Sequence, residues 1–158
     1  MRLRRGCRGW WIALLAALAD RITKAAVLAL PRADGPLVPG VLNLRLTANR
    51  GMAFSMLSGQ TLALTLLTLA LTAALTGWLV ARPDEPRLLR AGLWMIVGGG
   101  LGNLYDRLTR GSVIDFLEPA FVRFAVFNVA DACITVGAAL AMLGLLLGEL
   151  RRRKPHGG

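Results

Sequence analysis

"QTLALTLLTLALTAALTGWLV", Gln60 to Val80, runs for 21 residues without a charge. A helix needs roughly 20 mostly apolar residues to cross the hydrocarbon of a bilayer, so this stretch has the length and composition of a membrane span. Three further apolar blocks lie on either side of it, at about Trp10 to Leu30, Leu88 to Tyr105 and Ala130 to Leu150. The third block is short and glycine-rich, and its Gly98 and Gly102 have the small-xxx-small spacing that lets a neighbouring helix come close. The chain of 158 residues is 55% hydrophobic, with a mean hydropathy of +0.55, too apolar for an ordinary soluble domain.

The basic residues set a topology. Arg2, Arg4, Arg5 and Arg8 precede the first block, the stretch "ARPDEPRLLR" that leads into the third carries Arg82, Arg87 and Arg90, and Arg151, Arg152, Arg153 and Lys154 follow the fourth. With four spans these three regions fall on one side, which the positive-inside rule makes the cytoplasm. The N-terminal run has no small-residue cleavage site after it, so it reads as an uncleaved signal anchor. The expectation is a single integral membrane domain over residues 1–158. Its spans lie at about 10–30, 60–80, 88–105 and 130–150, its outer connections at about 31–59 and 106–129, and both termini are cytoplasmic.

The outer connections carry strand patterns. In "VLNLRLTANRGMAFSML", Leu42, Leu44 and Leu46 alternate with Asn43, Arg45 and Thr47, and "SVIDFL" and "FVRFAVF" are rich in β-branched and aromatic residues. The expected fold class is a membrane all-α bundle of four transmembrane helices with a small extracytoplasmic β-sheet cradle. Isolated strands are marginal in water, so the sheet must rest on the bundle or the membrane surface. Asp34, in "RADGP", reads as part of a turn.

Composition excludes several chemistries. The net charge of +10 comes from residues that flank apolar blocks, with no basic stripe interleaved with aromatics, so nucleic acid is not an expected partner. Cys7 and Cys133 have neither disulfide-framework nor zinc spacing. The only histidine is His156, in the basic tail, which argues against a histidine-based nucleophile pair or metal site at the outer face. No cofactor and no metal are expected.

Carboxylates remain. Asp20, Asp106, Asp115, Glu118 and Asp131 stand at or beyond the outer ends of the apolar blocks. Ionisable groups at membrane depth cost about 2.5–3.5 kcal/mol on insertion scales and usually pair or do work. Asp20 and Lys24 have i,i+4 ion-pair spacing and read as a structural pair. Asn103, Asp106 and Arg107 cluster at the end of the third block, where they can fix the helix end and the outer loops. Asn128 and Asp131 have the spacing of an N-cap with an acid in the first turn, which would by itself explain Asp131. Asp115 lies inside the apolar run "SVIDFLE", where no helix-end argument applies. With Asp131 it forms a candidate dyad. Two carboxyl groups that share a site do not easily both ionise, so one holds a proton while the other activates water. Rival readings of the acids are a proton relay or transporter and a non-catalytic assembly protein. Charges held near the outer ends of the spans fit a relay poorly.

Five stretches, in order, resemble the bacterial lipoprotein signal peptidases, or type II signal peptidases: "ADRITK" (Ala19–Lys24), "NRGMAFS" (Asn49–Ser55), "GGGLGNLYDRL" (Gly98–Leu108), "GSVIDF" (Gly111–Phe116) and "FNVADACITVG" (Phe127–Gly137). The resemblance implies an aspartic endopeptidase of the bacterial cytoplasmic membrane. Its substrates would be diacylglyceryl-modified prolipoproteins, cut just before the lipidated cysteine. Membrane lipids are the other expected partner, and a monomer is the expected working unit. It implies that Asp115 and Asp131 are catalytic, near the outer face, and that Asn49, Gly51, Asn103, Asp106, Arg107, Asn128 and Ala130 bind substrate or support the site. Asp20 and Lys24 match the first stretch. Arg21 departs from the family's usual glutamine, Arg50 and Met52 depart from its small or neutral residues, and the short loop from Phe116 to Phe127 implies a reduced covering helix.

Overall fold

The computed structural model describes residues 7–51 and 60–153. Among them, four helices and three strands follow in the order α1 (Trp10–Leu28), β1 (Asp34–Val38), β2 (Leu42–Asn49), α2 (Thr61–Ala81), α3 (Arg87–Arg110), β3 (Val113–Pro119) and α4 (Val129–Arg153). Met52, Phe54, Ser55 and Ser58, the N-terminal Arg2, Arg4 and Arg5, and the tail residues Lys154 and His156 lie outside the described residues.

Helix α3 packs against all three other helices, and its run of glycines explains how. A Cβ on Gly98 would lie 2.4 Å from the Ala13 carbonyl oxygen of α1, one on Gly99 2.4 Å from the Ala130 carbonyl oxygen of α4, and one on Gly100 2.7 Å from Thr72 Oγ1 of α2. Successive residues point about 100° apart around a helix, so three glycines in a row clear three different neighbours. Further along α3 and α4, Gly92 and Gly137 each meet the other's carbonyl oxygen, at 2.3 and 2.6 Å from the Cβ they lack. Close backbone approach replaces the apolar driving force that lipid cannot supply.

Two helices, Thr61–Ala81 and Val129–Arg151, are long and apolar enough to cross a membrane. Leu62, Leu66, Leu69 and Leu71 of α2 are exposed. Helix α1 is interrupted by Asp20, Arg21 and Lys24, and α3 by its glycines and by Asn103 and Asp106, which lowers their hydropathy. Helix α3 also runs past the expected end at 105 to Arg110, where Gly111 (φ 70°) stops it in the left-handed conformation and donates to the Arg107 carbonyl oxygen. Asp106 and Arg107 therefore belong to the helix and not to the connection after it.

The strands form one antiparallel sheet in the order β1-β2-β3. Asp34 begins β1 opposite Arg45 and is not in a turn. The alternation along β2 breaks where the register slips: Leu44 faces Leu117, but Thr47 faces Asp115, so β2 carries one extra residue between them. This bulge changes which side chains face the core. Leu44 packs beside the buried Val27, Ala33 and Phe116, whereas Leu46 is exposed. It also places Asn49, and not Ala48, on the same face as Asp115. The stretch after Pro119 forms no strand beyond the single bridge of Phe127 to Leu117, and no helix covers residues 120–126.

Candidate active site

Asp115 and Asp131 reach the site from different elements. Asp115 stands in the middle of β3, and Asp131 in the first turn of α4. Between them lies Asn128, fully buried just before α4. Its Nδ2 donates to Asp115 Oδ1 (2.7 Å), and to the Asn103 Oδ1 and the Ile114 carbonyl oxygen at longer range (3.1 and 3.2 Å). Its Oδ1 accepts from the Asp131 backbone N–H (2.9 Å), and its own backbone N–H donates to Asp131 Oδ2 (3.2 Å). That reciprocal pair is a capping box at the start of α4. The capping account of Asp131 and the chemical one therefore coexist, because the cap uses Oδ2 and leaves Oδ1 to bond across the bundle.

The remaining oxygens are held by two more amides. Asn49 Nδ2 donates to Asp115 Oδ2 (2.9 Å), and Asn103 Nδ2 donates to Asp131 Oδ1 (2.7 Å). The orientation of each amide follows from a neighbour that can only donate. Asn49 Oδ1 accepts from the Gly51 N–H (2.9 Å), Asn128 Oδ1 from the Asp131 N–H (2.9 Å), and Asn103 Oδ1 from Lys24 Nζ (3.3 Å). Three asparagines thus present N–H groups to the four carboxylate oxygens, with the backbone N–H of Asn128 as the fourth donor.

Behind this layer lies an ion-pair cluster. Lys24, 1% exposed, lies 2.9 Å from Asp20 Oδ2 and 2.7 Å from Asp106 Oδ2. Arg21 stands 2.7 Å from Asp106 Oδ1, outside hydrogen-bond alignment, and its guanidinium covers the Tyr105 ring at 4.7 Å. Each buried carboxylate also binds backbone. Asp20 Oδ1 accepts from the Ala130 N–H of α4 (3.1 Å), and Asp106 Oδ2 from the Ile114 N–H beside Asp115 (3.2 Å). The cluster therefore anchors the start of α4 and the strand that carries Asp115. Gly102 leaves the room: a Cβ there would lie 2.6 Å from Asp20 Oδ2. Arg107 donates to the Gly51 carbonyl oxygen (3.4 Å) and holds the end of β2 near the pair.

Electrostatics separates Asp115 from an ordinary surface acid. Burial raises its carboxyl to about 6, the charge of Asp131 adds to that, and the bonds from Asn49 and Asn128 and the charge of Lys24 act against it. Among the described residues, no three of His, Cys, Asp and Glu converge as metal ligands.

Every site residue named from the sequence lies in or against this cluster. Sequence reasoning missed the reach of Lys24 to Asn103 and the part of Arg21, which pairs with Asp20 and Asp106. The only signal for Arg21 was a third charge beside Asp20 and Lys24 in an otherwise apolar helix.

A family model described as signal peptidase (SPase) II matches residues 12–147. The chain belongs to the signal peptidase II family. Family membership makes it a peptidase, and the relatives it matches carry the name lipoprotein signal peptidase. One from Thermosynechococcus vestitus is 38% identical over 81% of this chain and 84% of its own length. Another from Gloeobacter violaceus is 36% identical over 92% and 86%, and one from Shewanella loihica is 37% identical over 96% and 92%. Two solved structures of bacterial membrane enzymes share the fold. One superposes with a TM-score of 0.82 at 24% identity over 94% of this chain and 93% of that one. The other gives 0.76 at 26% identity over 86% and 90%.

Proposed function

We propose that this signal peptidase II is an aspartic endopeptidase of the bacterial cytoplasmic membrane that removes the signal peptide from diacylglyceryl-modified prolipoproteins, cutting just before the lipidated cysteine. Asp115 and Asp131 are its catalytic pair. The observation that carries this is Asn128, which hydrogen-bonds to both carboxylates at once. All four helices cross the membrane within one integral domain, both termini are cytoplasmic, and the pair lies near the outer face. The charges that interrupt α1 and α3 pair with one another inside the bundle, which keeps them from lipid. In this reading the enzyme works as a monomer in contact with membrane lipids.

In this reading Asp115 carries the shared proton. Asp131 takes a proton from water as the water oxygen attacks the scissile carbonyl, and Asp115 gives its proton to the carbonyl oxygen. The resulting gem-diol collapses when Asp115 takes back a hydroxyl proton and Asp131 protonates the leaving nitrogen. The C–N bond breaks, releasing a carboxylic acid on the signal peptide and an amine on the cysteine. Asn49, Asn103 and Asn128 hold both side chains in place through these transfers. The substrate's apolar helix must unwind before this attack, and a strand added at the sheet would hold it extended.

The test is purified Asp115→Asn and Asp131→Asn protein in detergent, presented with a diacylated prolipoprotein. Both variants are expected to fold and to lose cleavage by about a thousandfold or more. Processing at the wild-type rate by either one removes that residue from the mechanism.

A further inference from the structure

We propose that Lys24 is a positioning residue for the catalytic pair: it sets the direction of the Asn103 amide that holds Asp131, beyond its ion pair with Asp20. The inference rests on the reading of Asp115 and Asp131 as that pair.

An ammonium has three N–H donors and no acceptor. Two of the contacts of Lys24 are to Asp20 and Asp106, carboxylates from two different helices, which pin the nitrogen in place. The third is to Asn103 Oδ1. A salt bridge serving stability alone would need only the first. Because Oδ1 must face Lys24, Nδ2 must face Asp131. With the amide reversed, its NH2 would meet the ammonium and the NH2 of Asn128, and its oxygen would meet a carboxylate. Donation therefore runs one way, from Lys24 through Asn103 to Asp131, and the positive charge at its head strengthens the last bond. The charged groups acting on Asp131 are Lys24 and Asp20 from α1, Arg107 from α3 and Asp115 from β3. Two of these are joined to it through one asparagine, Asp115 through Asn128 and Lys24 through Asn103, and of the two only Lys24 is a cation.

The experiment is a double-mutant cycle of Lys24→Met and Asn103→Ala in the full-length enzyme, assayed on a diacylated peptide across pH. Lys24→Met is expected to lower kcat about tenfold or more, with KM within about twofold. The acid limb of its pH–rate profile is expected to move to higher pH. In the Asn103→Ala background the same change should add almost nothing to the loss in kcat. A Lys24→Met enzyme that melts earlier but keeps wild-type kcat and pH profile per folded molecule overturns the proposal, as does a full additive loss in the double variant. If Lys24→Met does not fold, Lys24→Met with Asp106→Asn removes one charge of each sign and is compared with Asp106→Asn alone, under the same criteria. An Asp131→Asn arm separates the two readings. Activity there defeats the catalytic pair itself, whereas an inactive Asp131→Asn beside an unaffected Lys24→Met defeats only the role of Lys24.

Discussion

The two ends of the bundle both bury polar side chains, and they satisfy them differently. At one end Arg90, 6% exposed, donates to the carbonyl oxygens of Leu79, Arg82 and Arg8, and Trp94 Nε1 also donates to the Arg8 carbonyl oxygen. Leu79 and Arg82 sit at the C-terminal end of α2, whose last carbonyls have no partner within the helix and whose dipole favours a cation. That end ties α1, α2 and α3 together with acceptors that do not titrate. At the other end the acceptors are carboxylates held by amides, and two of them are joined through one asparagine. Buried polarity of the first kind stabilises. Only the second kind can pass protons.

Substitutions can break this contrast, beginning with Asn128. Serine is as good an N-cap as asparagine, but it is too short to reach Asp115. Asn128→Ser is expected to cut kcat by about a hundredfold, comparable with the loss of one transition-state donor. Asn128→Ala should lose as much activity and, in addition, about 1 kcal/mol of helix cap, read as a lower Tm. A fully active serine variant would reduce Asn128 to a cap and make the two ends alike.

A pH series gives the next largest effect. Asp115 titrates near 6 in the folded protein, above the ordinary 3.8. The folded state binds its proton more tightly than the unfolded chain does. The stability it contributes is therefore complete below about pH 4 and is lost as the pH rises through about 6. Thermal melts from pH 4 to 8 should show this slope in the wild type and lose it in Asp115→Asn. If Asp115 must hold the shared proton, kcat/KM falls about tenfold per pH unit above 6. A rate that is flat across that range assigns the proton elsewhere.

Arg90→Met sharpens the comparison from the stabilising side. It strands carbonyl oxygens at the end of α2 and should cost about 1–3 kcal/mol. The folded fraction should keep wild-type kcat, as shown by melts alongside rates normalised to active enzyme. The smallest effect is expected at Arg45, which is paired with Glu118 at 2.7 Å on the exposed rim of the sheet. Water screens such pairs, so Arg45→Ala should leave both Tm and kcat unchanged within error. A marked loss of activity there would bring the rim of the sheet into the substrate's path.

Much of this was legible in the chain. Apolar length revealed the helices, and the four-residue spacing of Asp20 and Lys24 revealed a real ion pair. The N-x-x-D spacing of Asn128 and Asp131 revealed a capping box. These are local patterns, set by the period of one helix. The strand reading held for β2 and β3 but failed for the segment after Pro119, and it missed the bulge after Leu44. A bulge is a property of two paired strands, and one strand's alternation cannot report it.

Local sequence was enough to find the apolar segments, the costly charges and the cap that starts α4, because such preferences act over a few residues. Packing between distant segments made Asp20 cap Ala130, 110 residues away, aimed Asn103 at Asp131 from Lys24, and let three adjacent glycines admit three different neighbours. Those contacts depend on how whole helices pack side by side, which brings together residues far apart in the chain.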